Sequence, residues 1–155
     1  MKKQIINYQK EWKEETVKIK DLLLDPENIR LEIGQKTQDD VIADLFVNEK
    51  VMDVFKSIYD NGFFPDETPV VIEELNKKIV LEGNRRVASL KAMINPDIAP
   101  PKYRNEIRTM MQTIEPIREI EIRIAPSRND AMLYLASKHT KNTRRQWTAL
   151  RRSYF

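Results

Sequence analysis

The sequence predicts an α+β fold, a small mixed β-sheet packed with helices and followed by C-terminal helices, and three observations predict it. Glu119-Ile120-Glu121-Ile122-Arg123-Ile124 alternates strictly and reads as a half-buried strand. Two β-branched runs, 69–73 and 77–81, stand a hairpin's distance apart. Before and between them, apolar residues recur with helical period at 39–58 and 87–94. A chain of 155 residues, 41% hydrophobic, can bury one ordinary core without metal or disulfide staples.

In chain order, residues 1–15 are polar and form an N-terminal arm whose largest apolar residue is Trp12. Thr16-Val17-Lys18-Ile19 alternates and predicts a short strand, and Leu22 to Leu24 leads into the turn chemistry of Asp25-Pro26-Glu27-Asn28. Val41, Leu45, Val51, Phe55 and Ile58 keep helical spacing with a break near Asn48, which gives one interrupted helix or two short ones. Gly62 reads as a helix stop. After the hairpin, Gly83 turns the chain into a helix carrying Val87, Leu90, Lys91 and Ile94 on one stripe, apolar but for Lys91, and Asn95-Pro96 ends it. Ala99-Pro100-Pro101 is a second break, followed by a predicted helix over 103–114. Beyond the strand at 119–124, Ser127 and Asp130 form a capping-box pattern, and Met132, Leu135, Ala136 and His139 fall on one helical face. The domain proper is assigned to 16–140, and 141–155 is a basic amphipathic helical extension with Trp147, Leu150 and Tyr154 in register, stopping within a helix signature as a truncated segment would.

Without a cysteine, a disulfide framework, thiolate metal sites and cysteine nucleophiles are excluded, and a reducing, cytoplasmic setting is expected. The start, Met1-Lys2-Lys3-Gln4, is not that of a signal peptide, and no apolar run approaches the roughly 18 residues of a membrane span, so no membrane partner is expected. The net charge of +3 is unevenly placed. Lys138, Lys141, Arg144, Arg145, Arg151 and Arg152 are six of the 27 basic residues and share 137–155 with no acid, leaving 21 against 24 acids in the remainder. That end would meet a DNA backbone, or be merely solvated. Trp147, Leu150 and Tyr154 serve equally well as core residues or as a homodimer interface.

The chemistry concentrates at Glu82-Gly83-Asn84-Arg85-Arg86, a strand, one glycine and a helix start. Unpaired amides and the positive end of the helix dipole attract anions there, and Gly83 lets an oxygen approach the backbone. Arg85 and Arg86 stand against the dipole, at a cost of about 0.3–1 kcal/mol each, which an anionic ligand would offset. The competing reading pairs them with Glu82, Glu73 or Asp25.

The segment Val80-Leu81-Glu82-Gly83-Asn84-Arg85-Arg86-Val87-Ala88-Ser89-Leu90 resembles the second conserved box of the ParB N-terminal domain, in the ParB/sulfiredoxin-like superfamily, where a strand runs into Gly-Glu-Arg-Arg and a helix. Asn84 departs from that pattern. Asp25-Pro26-Glu27-Asn28-Ile29-Arg30 is similar to the first box, and Asn61-Gly62-Phe63-Phe64-Pro65 to the turn before the hairpin. The resemblance spans about 16–94 and continues in order through the strand at 119–124. It implies a nucleoside triphosphate ligand, CTP or ATP, and contacts from Arg30, Gly62, Phe64, Pro65, Gly83, Asn84, Arg85 and Arg86. The third box, acidic-Asn-Leu-Gln-Arg in the family, matches poorly at Ser137-Lys138-His139-Thr140-Lys141-Asn142-Thr143-Arg144-Arg145. His139, Asn142, Arg144 and Arg145 are its candidate contacts, while the acid that helps hold Mg²⁺ has no counterpart, so the metal ligands stay unassigned. Glu82 is the remaining carboxylate at the turn and the candidate catalytic residue, for triphosphate hydrolysis or, less favoured, for a small-molecule kinase. Sulfiredoxin chemistry, which needs a cysteine here, is excluded. A non-enzymatic DNA-binding or protein-interaction module built on the basic C-terminal helix is the alternative.

Overall fold

A computed structural model of the chain describes residues 2–26 and 37–141. Strands β1 (Lys13–Lys18), β2 (Leu22–Leu24), β3 (Val70–Glu74), β4 (Lys77–Glu82) and β5 (Glu119–Ile124) form one sheet in the order β1-β5-β3-β4-β2. The β1–β5 and β3–β4 pairs are antiparallel, and β2–β4 and β3–β5 are parallel. The helices are α1 (Tyr8–Glu11), α2 (Gln38–Asn48), α3 (Val51–Asn61), α4 (Asn84–Ile94), α5 (Pro101–Met111) and α6 (Arg128–Lys141). The chain is thus α+β, a small mixed sheet packed with helices.

The two edge strands are neighbours in sequence, and this bends the sheet. Three residues, Ile19–Asp21, join β1 to β2. Five flat strands about 4.8 Å apart would hold those edges roughly 19 Å from each other, more than three residues span at about 3.5 Å each. The sheet therefore curls, and Lys78 of β4 comes within 3.9 Å of both Glu73 on β3 and Glu15 on β1. The edge at β2 is closed by a side chain. The Gln38 amide accepts from the Leu24 N–H (2.8 Å) and donates to its C=O (2.9 Å), as a paired strand would.

Each face of the sheet carries its own apolar cluster. On the larger, Ile120, Ile122 and Ile124 lie with Val17, Val71, Val80, Val87, Leu90 and Phe55, and Ile94 packs against them. The strand alternation and the α4 stripe do share one core. Ala88 and Ala92, fully buried on α4, permit close helix approach. The smaller cluster joins Val70, Ile72, Leu81, Ala125 and Ala131, with Trp12 and Tyr134 against it.

Local chemistry explains the boundaries. α2 begins in a capping box, the Thr37 hydroxyl accepting from the Asp40 N–H (3.1 Å) and the Asp40 carboxylate from the Thr37 N–H (3.1 Å). Its break from α3 falls at Lys50, held at φ 54°, so the interrupted pattern is two helices. Gly62, at φ 93°, ends α3 by donating to the Ile58 carbonyl (2.8 Å). The hairpin turns on Leu75 and Asn76, both at positive φ (51° and 61°), as a two-residue turn matched to strand twist requires.

Some elements differ from expectation. The first strand begins at Lys13 and ends at Lys18, because the antiparallel ladder with β5 recruits the charged end of the arm, where Glu14 lies opposite Arg123 at 3.7 Å. Trp12 meets Tyr134 edge-on at 5.0 Å between ring centroids, so the arm is packed down from there. Leu22–Leu24, expected only as a lead into a turn, is a strand. The helix expected over 103–114 spans Pro101–Met111, with proline tolerated in its first turn. In α6 the inner face is Ala131 and Tyr134, not Met132 and Ala136. Ala131 is fully buried there, and Met132 and Leu133 point to solvent, 62% and 60% exposed. The segments 27–36 and 142–155, with Arg30, Asn142, Arg144, Arg145, Trp147, Leu150, Arg151, Arg152 and Tyr154, lie outside the described residues.

Lys91, the polar member of the α4 stripe, is held below the usual lysine range by burial, while the Asp21 carboxylate pulls it back up. A lysine depressed in the folded state opposes folding while charged. That penalty persists at neutral pH and disappears as pH rises through the folded value toward the unfolded one. Lys91→Met should therefore stabilise the chain at pH 7 and less so near pH 10, which urea melts at the two pH values would check.

Candidate functional site

β4 delivers the chain to Gly83, and α4 begins at once. Gly83 sits at φ 99° and ψ 19°, a left-handed conformation that favours glycine, and it provides no side chain to cap the first turn of α4. Its missing Cβ is also used directly. A Cβ there would lie 3.0 Å from Nη2 and 3.5 Å from Nε of Arg86, so the guanidinium rests on the glycine. Gly83→Ala should cost about 1–3 kcal/mol in urea denaturation, from backbone strain and from displacing Arg86.

Arg86 is half-buried, and two of its donors are unbonded. Its Nε and Nη2 are shielded from solvent and have no hydrogen-bond acceptor among the described residues. Glu82 Oε1 stands 3.9 Å from Nη2, beyond hydrogen-bond length. The other acids expected as structural partners face other cations, with Asp25 3.8 Å from Arg128 and Glu73 3.9 Å from Lys78. Arg85 is exposed and forms no ion pair among the described residues.

Asn84 has a different task from the arginines. Its side chain is buried, its Oδ1 accepting from the Asp25 N–H (3.0 Å) and its Nδ2 donating to the Val80 C=O (2.9 Å). It locks the chain after β2 and the end of β4 to the start of α4, so its side chain is committed to the fold. The departure from glutamate in the resembling motif has a physical reason here, because an amide both donates and accepts whereas an ionised carboxylate only accepts.

A cavity of about 550 Å³ opens at this turn, within the usual range of small-molecule sites. Leu81, Glu82, Gly83, Asn84, Arg85 and Arg86 line it from β4 and α4. Leu45 lines it from α2, Glu49 from the cap of that helix, Asp53, Val54, Ser57 and Ile58 from α3, and Glu67 from the turn Pro65–Glu67. Glu82, Gly83, Asn84, Arg85 and Arg86 thus line one cavity. Phe64 and Pro65 line a separate groove beside Glu119 and Arg123, and Gly62 lines neither. His139 falls in α6, and Arg30, Asn142, Arg144 and Arg145 lie outside the described residues. Glu49, Asp53 and Glu67 were not legible as site residues, because the joint at Lys50 that turns α3 onto α4 leaves no motif. Among the described residues, no group of three or more His, Asp or Glu gathers to chelate a metal. Nor is any helix among them long and apolar enough to cross a membrane.

Comparison with protein-family models, curated proteins and solved structures finds no match to the chain.

Proposed function

We propose that the cleft at the start of α4 binds the phosphates of a nucleoside triphosphate, CTP or ATP, and that the chain is a ParB-like nucleotide-binding domain of a DNA-associated system. One observation carries this reading, the Arg86 guanidinium laid over Gly83 with Nε and Nη2 buried and unbonded. Unmet buried donors cost about 1–3 kcal/mol each, more when charged, and a phosphate oxygen satisfies them at a helix start whose amides point the same way. The resemblance of 80–90 to the ParB nucleotide box supports the same ligand. A Mg²⁺ ion carried on the phosphates would need only one or two protein carboxylates, and Glu82 stands beside the arginines to supply one.

Saturating triphosphate at about 100 times its dissociation constant should add about 2.7 kcal/mol, a rise of roughly 5–10 °C in melting temperature for a domain of this size. Arg86→Ala should abolish that rise and leave the unliganded melt unchanged or higher, since an unsatisfied cation opposing the helix dipole is gone. The reading fails if millimolar CTP and ATP, with and without Mg²⁺, leave the parent melt unmoved, or if Arg86→Ala responds as the parent does.

A further inference from the structure

β5 is paired on both sides for only part of its length. All six of its residues pair with β1, whereas β3 meets it only at Arg123 and Ile124, opposite Val70 and Val71. An antiparallel ladder turns the backbone groups of successive residues to opposite sides of the strand. The Arg118 C=O accepts from the Ile19 N–H (2.9 Å), so even-numbered residues turn toward β1. The Arg123 and Ala125 N–H groups donate to the Pro69 and Val71 carbonyls (3.0 and 2.8 Å), so odd-numbered residues turn toward β3. The N–H and C=O of Glu119 and Glu121 therefore aim at the side where β3 has not yet begun, and they form no hydrogen bond there among the described residues. Pro69 explains why the ladder stops. It stands where the next donor to the Glu121 C=O would be, and proline has no N–H.

A groove of about 400 Å³ lies along this open stretch. Its charged lining is Glu14, Glu119 and Glu121 against Arg123, and Arg123 is already met by Glu14 at 3.7 Å. Glu119 and Glu121 form no ion pair among the described residues. Phe64 and Ile117, both exposed, line the same groove. The chain itself carries a segment of the complementary kind. Lys2-Lys3-Gln4-Ile5-Ile6 lies outside helix and strand, has two cations and no acid, and leaves Ile5 96% exposed. We infer that this N-terminal segment of a second copy adds as a short strand to the open side of β5, its backbone meeting that of Glu119 and Glu121, its lysines their carboxylates, and its isoleucines Phe64 and Ile117. Each copy offers one segment and one groove. The contact is small, so the association is weak and depends on concentration.

Sedimentation of the intact chain up to about 1 mM, the weak end of specific association, tests this together with amide hydrogen exchange. The weight-average mass should rise with concentration from 18.4 kDa toward twice that value, and the amides of Glu119 and Glu121 should gain protection in step. Deleting residues 2–6 should abolish both effects. Lys2→Glu with Lys3→Glu, and Glu119→Lys with Glu121→Lys, should each give a monomer alone, while an equal mixture of the two associates because the opposite charges meet again. The deletion and the lysine variant change no residue of the sheet, so they remain decisive if the β5 variant does not fold. A mass of 18.4 kDa throughout, or association that survives the deletion, would overturn the inference. So would amides of Glu119 and Glu121 that exchange equally fast at low and high concentration. Protection of those amides that is independent of concentration and lost in the deletion would place the chain's own segment in the groove and overturn exchange between copies.

Discussion

Ile122→Lys should leave no cooperatively folded protein at 25 °C. Ile122 is fully buried in the middle of β5, between Ile120 and Ile124, in the cluster that joins the sheet to α4. Removing it forfeits about 1.5–3 kcal/mol of apolar burial. The ammonium that replaces it must then stay charged in an apolar interior, at several kcal/mol more, or distort the strand to reach water. Together these match the whole stability of an ordinary domain, about 5–15 kcal/mol. Near-ultraviolet circular dichroism and a thermal melt would check it. A variant melting within a few degrees of the parent would mean that β5 does not carry the core.

Asn84→Ala should be the most damaging substitution within the cleft, at about 2–5 kcal/mol, because it strands two buried backbone groups at once. The Asp25 N–H loses its acceptor and the Val80 C=O its donor, and β2, β4 and α4 lose the bonds that set their junction. Asn84→Asp keeps the acceptor but turns a carboxylate oxygen toward the Val80 carbonyl, so it should rescue little. Chemical denaturation of the three proteins reads the difference directly. If Asn84→Ala unfolds at the parent's midpoint while ligand binding disappears, Asn84 is a ligand contact and not a structural lock.

What was legible in the sequence had a local cause. The alternation of 119–124 forces one face inward whatever the sheet order, and the stripe of Val87, Leu90 and Ile94 does the same for α4, so the shared core followed from periodicity alone. Gly83 between a β-type run and a helical run marked the turn from β4 into α4. The illegible parts depended on distant partners. β2 is only Leu22–Leu24, and it is a strand because β4 lies beside it and Gln38 closes its outer edge. In α6 the stripe counted from Met132 omits Ala131, the fully buried contact of that helix with the second cluster, which no apolar periodicity marks. Asn84 looked like one more polar residue in a phosphate turn, and nothing near it in sequence reveals that its partners are Asp25 and Val80. The carboxylates Glu49, Asp53 and Glu67 reach the cleft only through the packing of α3 on α4 and the turn that follows α3.

The central claim is a location, the backbone and guanidinium at the start of α4 as the seat of phosphate, and an amide-resolved titration tests it most directly. In ¹H–¹⁵N correlation spectra of the intact chain, added CTP with Mg²⁺ should shift the amides of Gly83, Asn84, Arg85 and Arg86 most, since these N–H groups point at the bound oxygens. The Arg86 side-chain Nε–H should move with them. Shifts centred instead on the basic stretch 138–152, with the amides of 83–86 unmoved at saturation, would contradict the account.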